Sequence, residues 1–282
     1  MSWKMVEREI WRNIFADVHS RGKVVAPRGK EIIEVENYHY ELPPYVRFCN
    51  LLPRKLKLEY IKQETRWYLH GDPYDLSICE FGQIWRHIIV DGKLNSNYGY
   101  AWFTQGGIDF VVEQLKQDKD SRRASTVIVD RSHLNLREKD VPCTSYINFR
   151  IRDNSYDRGG TDSLNMSVHM RSQDAIFGLG NDAPAFSFLQ EMVLNLLLPT
   201  YPNLHMGTYH HTSDSFHVYE QHYDMLKQLA DTCVEFEPLS VPFIAGPDEV
   251  KYLLSNNLRQ QSYLDPKPER KEEFCFSKWL ES

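Results

Sequence analysis

The stretch Leu164-Asn-Met-Ser-Val-His-Met-Arg171 alternates strictly between apolar and polar side chains. Successive side chains of a β-strand point to opposite faces of a sheet. The leucine, the valine and both methionines would therefore share one face, while Asn165, Ser167, His169 and Arg171 share the other. The pattern predicts a strand that buries one face in the core and presents a polar wall on its other face.

Around this strand, the sequence predicts an α/β fold built on a substantial sheet. Further strands are expected near residues 32–40, 125–130 and 143–152. Helical spacing predicts helices from Trp3, over about residues 55–69 and 108–116, from Pro184 to Pro199, and from Phe216 through Leu226. Residues 153–163 are a turn-rich connector and residues 265–273 a solvated tail. Neither marks a domain boundary, so we expect one domain over residues 1–282.

Composition excludes several classes of protein. The chain has 282 residues, 41% of them hydrophobic, and a formal charge of -6 from 33 basic and 39 acidic residues. That balance gives no general field for polyanions, so we expect no nucleic-acid partner and only a local phosphate site. No apolar run has the length of a signal peptide or membrane span, which predicts a cytoplasmic protein without a membrane partner. Five scattered cysteines without a Cys-x-x-Cys pair argue against disulfides and a zinc ribbon.

The candidate nucleophile is Cys143, in the run Val141-Pro-Cys-Thr-Ser-Tyr146. A cysteine thiolate is a strong nucleophile that can add reversibly to an electrophilic carbon atom. Taken alone, a cysteine that enters a strand is more often a small buried apolar side chain. The nucleophile interpretation therefore depends on the residues that accompany it.

Short motifs across roughly residues 54–225 resemble the thymidylate synthase family, in the family's order. They are Glu64-Thr-Arg-Trp67, Asn97-Tyr-Gly99, Ser121-Arg-Arg123, Pro142-Cys143, Arg171-Ser-x-Asp174 and His217-x-Tyr219. The resemblance implies one thymidylate-synthase-like catalytic domain with a large mixed sheet packed with helices. It also implies a homodimer formed through the sheet, with 5,10-methylenetetrahydrofolate as co-substrate and no metal.

The resemblance implies a role for each matching side chain. Cys143 is the nucleophile, and Glu64 and Tyr98 manage protons around the pyrimidine. The nucleotide would be held by Arg171, Ser172, His217 and Tyr219, together with Arg122 and Arg123 from the other subunit. Asp174 and Trp85 would bind the folate. The ordinary alternatives are a solvated Arg122-Arg123 pair, a strand-end Ser172 that caps backbone, a turn-forming Asp174 and an exposed helical Glu64.

Asp182 departs from the synthase pattern and decides the expected base. Synthases carry an asparagine at this position, and it reads uracil. Cytosine offers an amino donor beside an unprotonated N3, which a protonated aspartate matches with an acceptor beside a donor; an ionised aspartate would match cytosine protonated at N3. The alternative is a helix N-cap two residues before Pro184. With Thr144 after the cysteine, and Asn95-Ser-Asn-Tyr-Gly99, the chain resembles the phage deoxycytidylate hydroxymethylases, which implies hydroxymethylation of dCMP.

Several alternatives remain open on sequence alone. The same site would serve a CMP hydroxymethylase, a dCMP methylase, a dUMP hydroxymethylase or a catalytically idle nucleotide-binding relative. A hydrolase would pair Cys143 with His169 or His217. A zinc site would have to draw on His205, His210, His211, His217 and His222, which lack the spacing of a metal motif. Arg28 matches the family's amino-terminal phosphate-binding arginine only with a displacement of one residue, and the carboxyl-terminal tail lacks the apolar character of the synthases.

Overall fold

A computed structural model of the chain describes residues 2–153, 161–257 and 269–282. The strands are β1 (Lys23–Val25), β2 (Ile32–Leu42), β3 (Ser125–Val127), β4 (Thr144–Asp153), β5 (Asp162–Met170), β6 (Gln173–Asp174) and β7 (His205–Tyr219). The helices are α1 (Trp3–Arg21), α2 (Leu58–His70), α3 (Gln83–Ile88), α4 (Gly107–Gln117), α5 (Gly178–Leu197), α6 (Tyr223–Ala230), α7 (Pro247–Asn257) and α8 (Cys275–Glu281).

The strands form one mixed sheet in the order β1-β2-β7-β5-β4-β3, with β6 also paired to β7. β5 and β6 each run parallel to β7, and the remaining pairs are antiparallel. This confirms the predicted mixed sheet packed with helices. The parallel pairing places Gln173 opposite Phe216 and Asp174 opposite His217. Two segments that are distant in sequence therefore meet at one end of the sheet.

The alternation in β5 has the predicted consequence. Leu164, Met166, Val168 and Met170 are at most 2% exposed and join the main core, whereas Asn165, Ser167 and His169 are partly exposed on the other face. Burial of a side chain of this size contributes about 1.5–3 kcal/mol, so the face of β5 that enters the core is fixed by the pattern. A second core lies between α2, α5, α7 and α8.

The predicted helix from Phe216 is wrong. Residues up to Tyr219 belong to β7, where Phe216 pairs with Val35 of β2 and Val218 with Ile33, and the helix α6 begins only at Tyr223. The apolar spacing around Val218 and Tyr223 fits a helix, but pairing with β2 and β6 on either side favours the strand. Tertiary pairing has overridden the local pattern here.

The long apolar helix α5 begins at Gly178, six positions before the predicted start at Pro184. Arg54 is buried against this extra turn, and its Nε donates to the carbonyl oxygen of Ile176 at 2.7 Å while Nη2 donates to Oδ1 of Asn181 at 3.2 Å. A Cβ atom at Gly180 would lie 2.0 Å from the Arg54 guanidinium, so any larger residue there would displace this buried side chain. Asp182 therefore lies inside the helix, and the N-cap alternative for it is wrong.

The described helices include none that is both long and apolar enough to cross a membrane. Residues 154–160 of the predicted connector, and residues 265–268 of the predicted tail, lie outside the described residues. The single domain and the dimer through the sheet stay predictions.

Candidate active site

A cleft of about 790 Å³ lies at the end of the sheet where β6 meets β7. Helix α2, the start of α5 and the segment before β4 form its other sides. It collects every predicted site residue except Arg122 and Arg123. Those lining residues are Glu64, Trp85, Tyr98, Cys143, Arg171, Ser172, Asp174, Asp182, His217 and Tyr219.

Cys143 stands immediately before β4, and its thiol is held next to a guanidinium group. Nη2 of Arg171 lies 3.7 Å from Sγ of Cys143, and the Arg171 backbone N–H donates to the Cys143 carbonyl at 2.9 Å. The guanidinium also donates to the carbonyl oxygens of Pro142 and Val141, at 3.1 and 2.6 Å, which fixes its position. Burial raises the pKa of the thiol, while the charge of Arg171 lowers it. Further positive charge in the cleft would favour the reactive thiolate.

Glu64 is a buried carboxyl group with a defined set of neighbours. It is 4% exposed, so the alternative of an exposed helical glutamate is wrong. Tyr60, one helical turn earlier on α2, donates to Oε1 at 3.0 Å, and the indole N–H of Trp85 donates to the same tyrosine hydroxyl at 3.0 Å. Burial raises the pKa of Glu64 to about 8, and the nearby charge of Asp182 adds to that shift. Glu64 can therefore take up and release a proton near neutral pH.

No sequence motif selects Tyr60. It follows from the geometry of α2, because residues four apart on a helix lie on the same face. An aromatic residue one turn before a glutamate is common, so this spacing alone would not have identified it.

Tyr98 also lines the cleft. It is buried, and its ring stacks on Tyr68 with centroids 5.2 Å apart and on Phe186 at 6.2 Å. The next residue must be glycine, since a Cβ atom at Gly99 would lie 1.6 Å from the Tyr68 carbonyl oxygen. This close approach explains the Tyr-Gly pair and fixes the direction of the phenol.

Asp182 faces the cleft from the second turn of α5. Nε2 of Gln173 donates to its Oδ2 at 2.8 Å. Burial raises the pKa of Asp182 to about 7; the bond from Gln173 lowers it and the charge of Asp174 raises it. The group can therefore present a donor and an acceptor together near neutral pH.

Asp174 performs the turn-forming role and also lines the cleft. Its Oδ1 accepts from the Ile176 backbone N–H at 2.9 Å and its Oδ2 from that of Phe177 at 3.4 Å. These bonds hold the turn between β6 and α5. The flat ring of Trp85 and the side chains of Ile84 and Phe177 line the same cleft. An aromatic and apolar surface beside a carboxylate fits a pterin ring, whose ring nitrogens are donors.

Ser172, His217 and Tyr219 lie along the β6–β7 side of the cleft. His217 is buried, and its ring packs edge-on against Tyr219 with centroids 5.1 Å apart. Their separation by two positions in a strand places both side chains on the same face. This arrangement is suited to holding a polar ligand rather than to attacking it.

The other arginines considered for phosphate binding differ in whether they line the cleft. Arg28 lines the cleft with a left-handed backbone conformation, at φ 53°, in the turn before β2. Arg122 and Arg123 are exposed in the segment between α4 and β3 and do not line this chain's cleft. Their contribution to another subunit's site stays a prediction.

The histidines of the described segments do not form a hydrolase pair with Cys143. His169 lies outside the cleft, stacks on Tyr146 and has Nε2 3.0 Å from Oδ1 of Asp214, and no histidine within the described ranges hydrogen-bonds the thiol. His217 lines the cleft, but its Nδ1 lies 3.3 Å from the Ser215 carbonyl. The hydrolase alternative lacks its nucleophile-base contact.

Three side chains that could together bind a metal ion lie on the exposed face of the sheet, away from the cleft. They are His39, Glu41 and His210, whose ligand atoms lie within 4.8 Å of one another. The sequence did not indicate this group, because neighbouring strands bring together side chains that are far apart along the chain. His211 is fully buried with a pKa lowered to about 3 by burial, and its Nδ1 lies 2.6 Å from the Tyr209 hydroxyl. The expected absence of a metal stays a prediction.

Comparison with known families gives an unambiguous match. The thymidylate synthase family model matches residues 9–261. The chain belongs to the thymidylate synthase family. The membership accounts for the mixed sheet and for the order in which the site residues occur along the chain.

Curated relatives within this family include hydroxymethyltransferases from phages. The chain is 27% identical over 233 residues to the deoxyuridylate hydroxymethyltransferase of Bacillus phage SP01, covering 76% of this chain and 57% of the relative. It is 28% identical over 176 residues to the deoxycytidylate 5-hydroxymethyltransferase of Enterobacteria phage T6, covering 58% and 68%. It is 32% identical over 133 residues to the enzyme of the same name from phage T4, covering 44% and 51%. The matches thus span from about half to two thirds of these relatives.

Proposed function

We propose that the protein transfers a one-carbon unit from 5,10-methylenetetrahydrofolate to C5 of dCMP, with water completing a hydroxymethyl group. The proposal rests mainly on one observation: the Cys143 thiol and the Asp182 carboxyl line the same cleft. The first supplies the nucleophile of this family. The second offers cytosine a matching edge where synthases offer an amide.

In the proposed reaction, Sγ of Cys143 bonds to C6 of the pyrimidine, and the electron pair of the C5–C6 double bond makes C5 nucleophilic. The bound folate supplies the one-carbon unit at the oxidation level of formaldehyde. C5 bonds to that carbon and loses its proton, for which Glu64 is the acceptor in the cleft with Tyr98 beside it. The bond from the carbon to the folate nitrogen then breaks, so tetrahydrofolate leaves and an exocyclic methylene remains. Addition of water to the transferred carbon and departure of Cys143 leave 5-hydroxymethyl-dCMP.

The nucleotide phosphate would lie against Arg171 and Arg28. A guanidinium group binds phosphate oxygens in pairs and keeps its charge at all relevant pH values. Both arginines also lower the pKa of Cys143. Arg122 and Arg123 of a second subunit would add to this charge, so we propose a homodimer with shared sites.

Asp182 would read the base. In its neutral form it donates to N3 of cytosine and accepts from the exocyclic amino group. Uracil has a donor at N3 and an acceptor at O4, the reverse of cytosine. Its polar groups would therefore be left without hydrogen bonds in this buried site. The pKa of about 7 keeps this neutral form populated near neutral pH.

The deoxyuridylate hydroxymethyltransferase of phage SP01 favours a second candidate, dUMP hydroxymethylation. That relative matches 76% of this chain, more than the deoxycytidylate enzymes of T6 and T4 do. The two candidates share the cleft, the thiol and the folate, and they differ in the base that Asp182 accepts. Asp182 favours cytosine over this second candidate.

Hydration rather than hydride transfer is supported by the position of α8. Its Phe276 and Leu280 pack in the second core, and Arg66 of α2 donates to the Leu280 carbonyl at 2.8 Å. Residues 269–282 do not line the cleft. With no cover from this segment, water can reach the transferred carbon.

The test is a comparison of dCMP, CMP and dUMP as substrates, with and without methylenetetrahydrofolate, followed by the product mass. The proposal expects folate-dependent conversion of dCMP to a hydroxymethyl product. Asp182→Asn should gain activity on dUMP relative to dCMP. A methyl product, or a preference for dUMP in the unchanged protein, would refute it.

A further inference from the structure

Gln173 lies between Asp182 and the core of the sheet. It is 2% exposed, and both ends of its amide have partners. The Tyr40 hydroxyl donates to Oε1 at 3.4 Å, and Nε2 donates to Oδ2 of Asp182 at 2.8 Å. The amide thus joins a tyrosine of β2 to the carboxyl group that faces the base.

Tyr40 holds the acceptor end of the amide. Its ring is 5% exposed and stacks on His211 with centroids 4.7 Å apart and an interplanar angle of 9°. Burial raises the pKa of Tyr40 well above its ordinary value, so the hydroxyl keeps the proton that it donates. With Oε1 engaged, the NH₂ end of Gln173 faces Asp182. The opposite orientation would place Oε1 at the carboxyl, where only an Asp182 protonated on Oδ2 could donate to it.

This orientation makes the two oxygens of Asp182 unequal. Oδ2 receives a hydrogen bond from Gln173 and is therefore kept as an acceptor. When Asp182 is protonated, the proton resides on Oδ1. The carboxyl then presents an acceptor and a donor in a fixed order, as the amino group and N3 of cytosine require. Uracil would bring its O4 acceptor towards Oδ2.

We propose that Gln173, held by Tyr40, is a specificity-determining positioning residue that fixes Asp182 Oδ2 as an acceptor and so favours cytosine over uracil. The inference rests on the proposed function, because it assumes a pyrimidine nucleotide at Asp182. It adds residues of β2 and β6 to the recognition of the base.

The experiment measures kcat and KM for dCMP and dUMP in four variants: Gln173→Leu, Tyr40→Phe, the double variant and Tyr38→Phe. Tyr38 is the matched control, because it lies on the same face of β2, donates its hydroxyl to Asp17 at 3.1 Å and does not line the cleft. Gln173→Leu should lower the ratio of kcat/KM for dCMP to that for dUMP about tenfold, the worth of one well-placed hydrogen bond. The loss should appear mainly in KM for dCMP.

Tyr40→Phe should shift the ratio in the same direction, and the double variant should show no further shift beyond Gln173→Leu. That non-additivity distinguishes positioning through Gln173 from general loosening of the core. Tyr38→Phe should leave the ratio unchanged.

If the unchanged protein prefers dCMP and neither variant moves the ratio, the inference fails while the proposed function stands. Additive effects of the two substitutions would also overturn it. A preference of the unchanged protein for dUMP would overturn both. If Gln173→Leu does not fold, the ratio in Tyr40→Phe decides alone.

Discussion

Nη2 of Arg171 lies 3.7 Å from Sγ of Cys143, where its positive charge opposes the effect of burial on the thiol. The same guanidinium is fixed by the carbonyls of the segment before β4. A side chain that binds the substrate phosphate in the proposed function therefore also sets the reactivity of the nucleophile.

Replacement of Arg171 by alanine should slow alkylation of Cys143. Loss of the cation raises the pKa of the thiol further, so less thiolate exists at about pH 8, and the rate should fall roughly tenfold. The measurement is the iodoacetamide rate at the Cys143 peptide by mass spectrometry, which separates it from the exposed Cys233 and Cys275. The control is Arg152→Ala, because Arg152 is an exposed arginine near the end of β4. An equal rate in both variants would show that Arg171 does not influence the thiol.

The affinity for dCMP should depend on pH through Asp182. Its pKa of about 7 means that the carboxyl is neutral below that value and ionised above it. Pairing with cytosine requires one proton shared between Asp182 and N3, so affinity should weaken up to about tenfold for each pH unit above this pKa. Titration calorimetry from about pH 6.5 to pH 9 measures this. Asp182→Asn, which does not titrate, should lose the dependence; an identical slope in that variant would contradict the assignment.

Glu64→Gln should stabilise the fold at high pH. The folded pKa of about 8 exceeds the ordinary value of 4.5, so the folded state holds a proton that the unfolded state has released. The contribution of Glu64 to stability is complete below 4.5 and is lost as pH rises to about 8. The variant should therefore gain roughly 1–3 kcal/mol in free energy of unfolding at about pH 9 and much less at about pH 5.

Denaturant unfolding at both pH values measures this difference. The control is Glu59→Gln, an exposed glutamate of the same helix. A gain for Glu64→Gln that is the same at both pH values would mean that ionisation of Glu64 is not its cause.

A shared active site predicts complementation between inactive variants. Cys143→Ser and the Arg122→Ala/Arg123→Ala double variant should each be inactive or nearly so. Mixed after reversible dissociation, they should recover about one quarter of the activity of the unchanged protein, because half of the dimers carry one complete site. Mixing Cys143→Ser with the unchanged protein serves as the reference for subunit exchange. No recovery despite proven exchange would place both arginines in their own subunit's site, or outside any site.

The sequence predicted the sheet because strands depend on local pattern, and the order of the motifs predicted most of the residues that line the cleft. The alternation in β5 identifies its buried face, and motif order identifies Cys143, Arg171 and Asp174. Residues that act through tertiary contacts were not predicted. Tyr60 and Gln173 carry no motif, and their roles appear only when α2 and β6 are placed around the cleft. The spacing at the end of β7 predicts a helix for the same reason, since the pairing with β2 is not encoded in that spacing.

The measurement that tests the account most directly is release of tritium from 5-tritiated dCMP. Attack by Cys143 at C6 and transfer of a carbon to C5 require the C5 proton to leave. The account predicts tritium release that depends on methylenetetrahydrofolate, is abolished in Cys143→Ser and exceeds the release from 5-tritiated dUMP. Release from dUMP alone, or none from either nucleotide with the folate present, would contradict it.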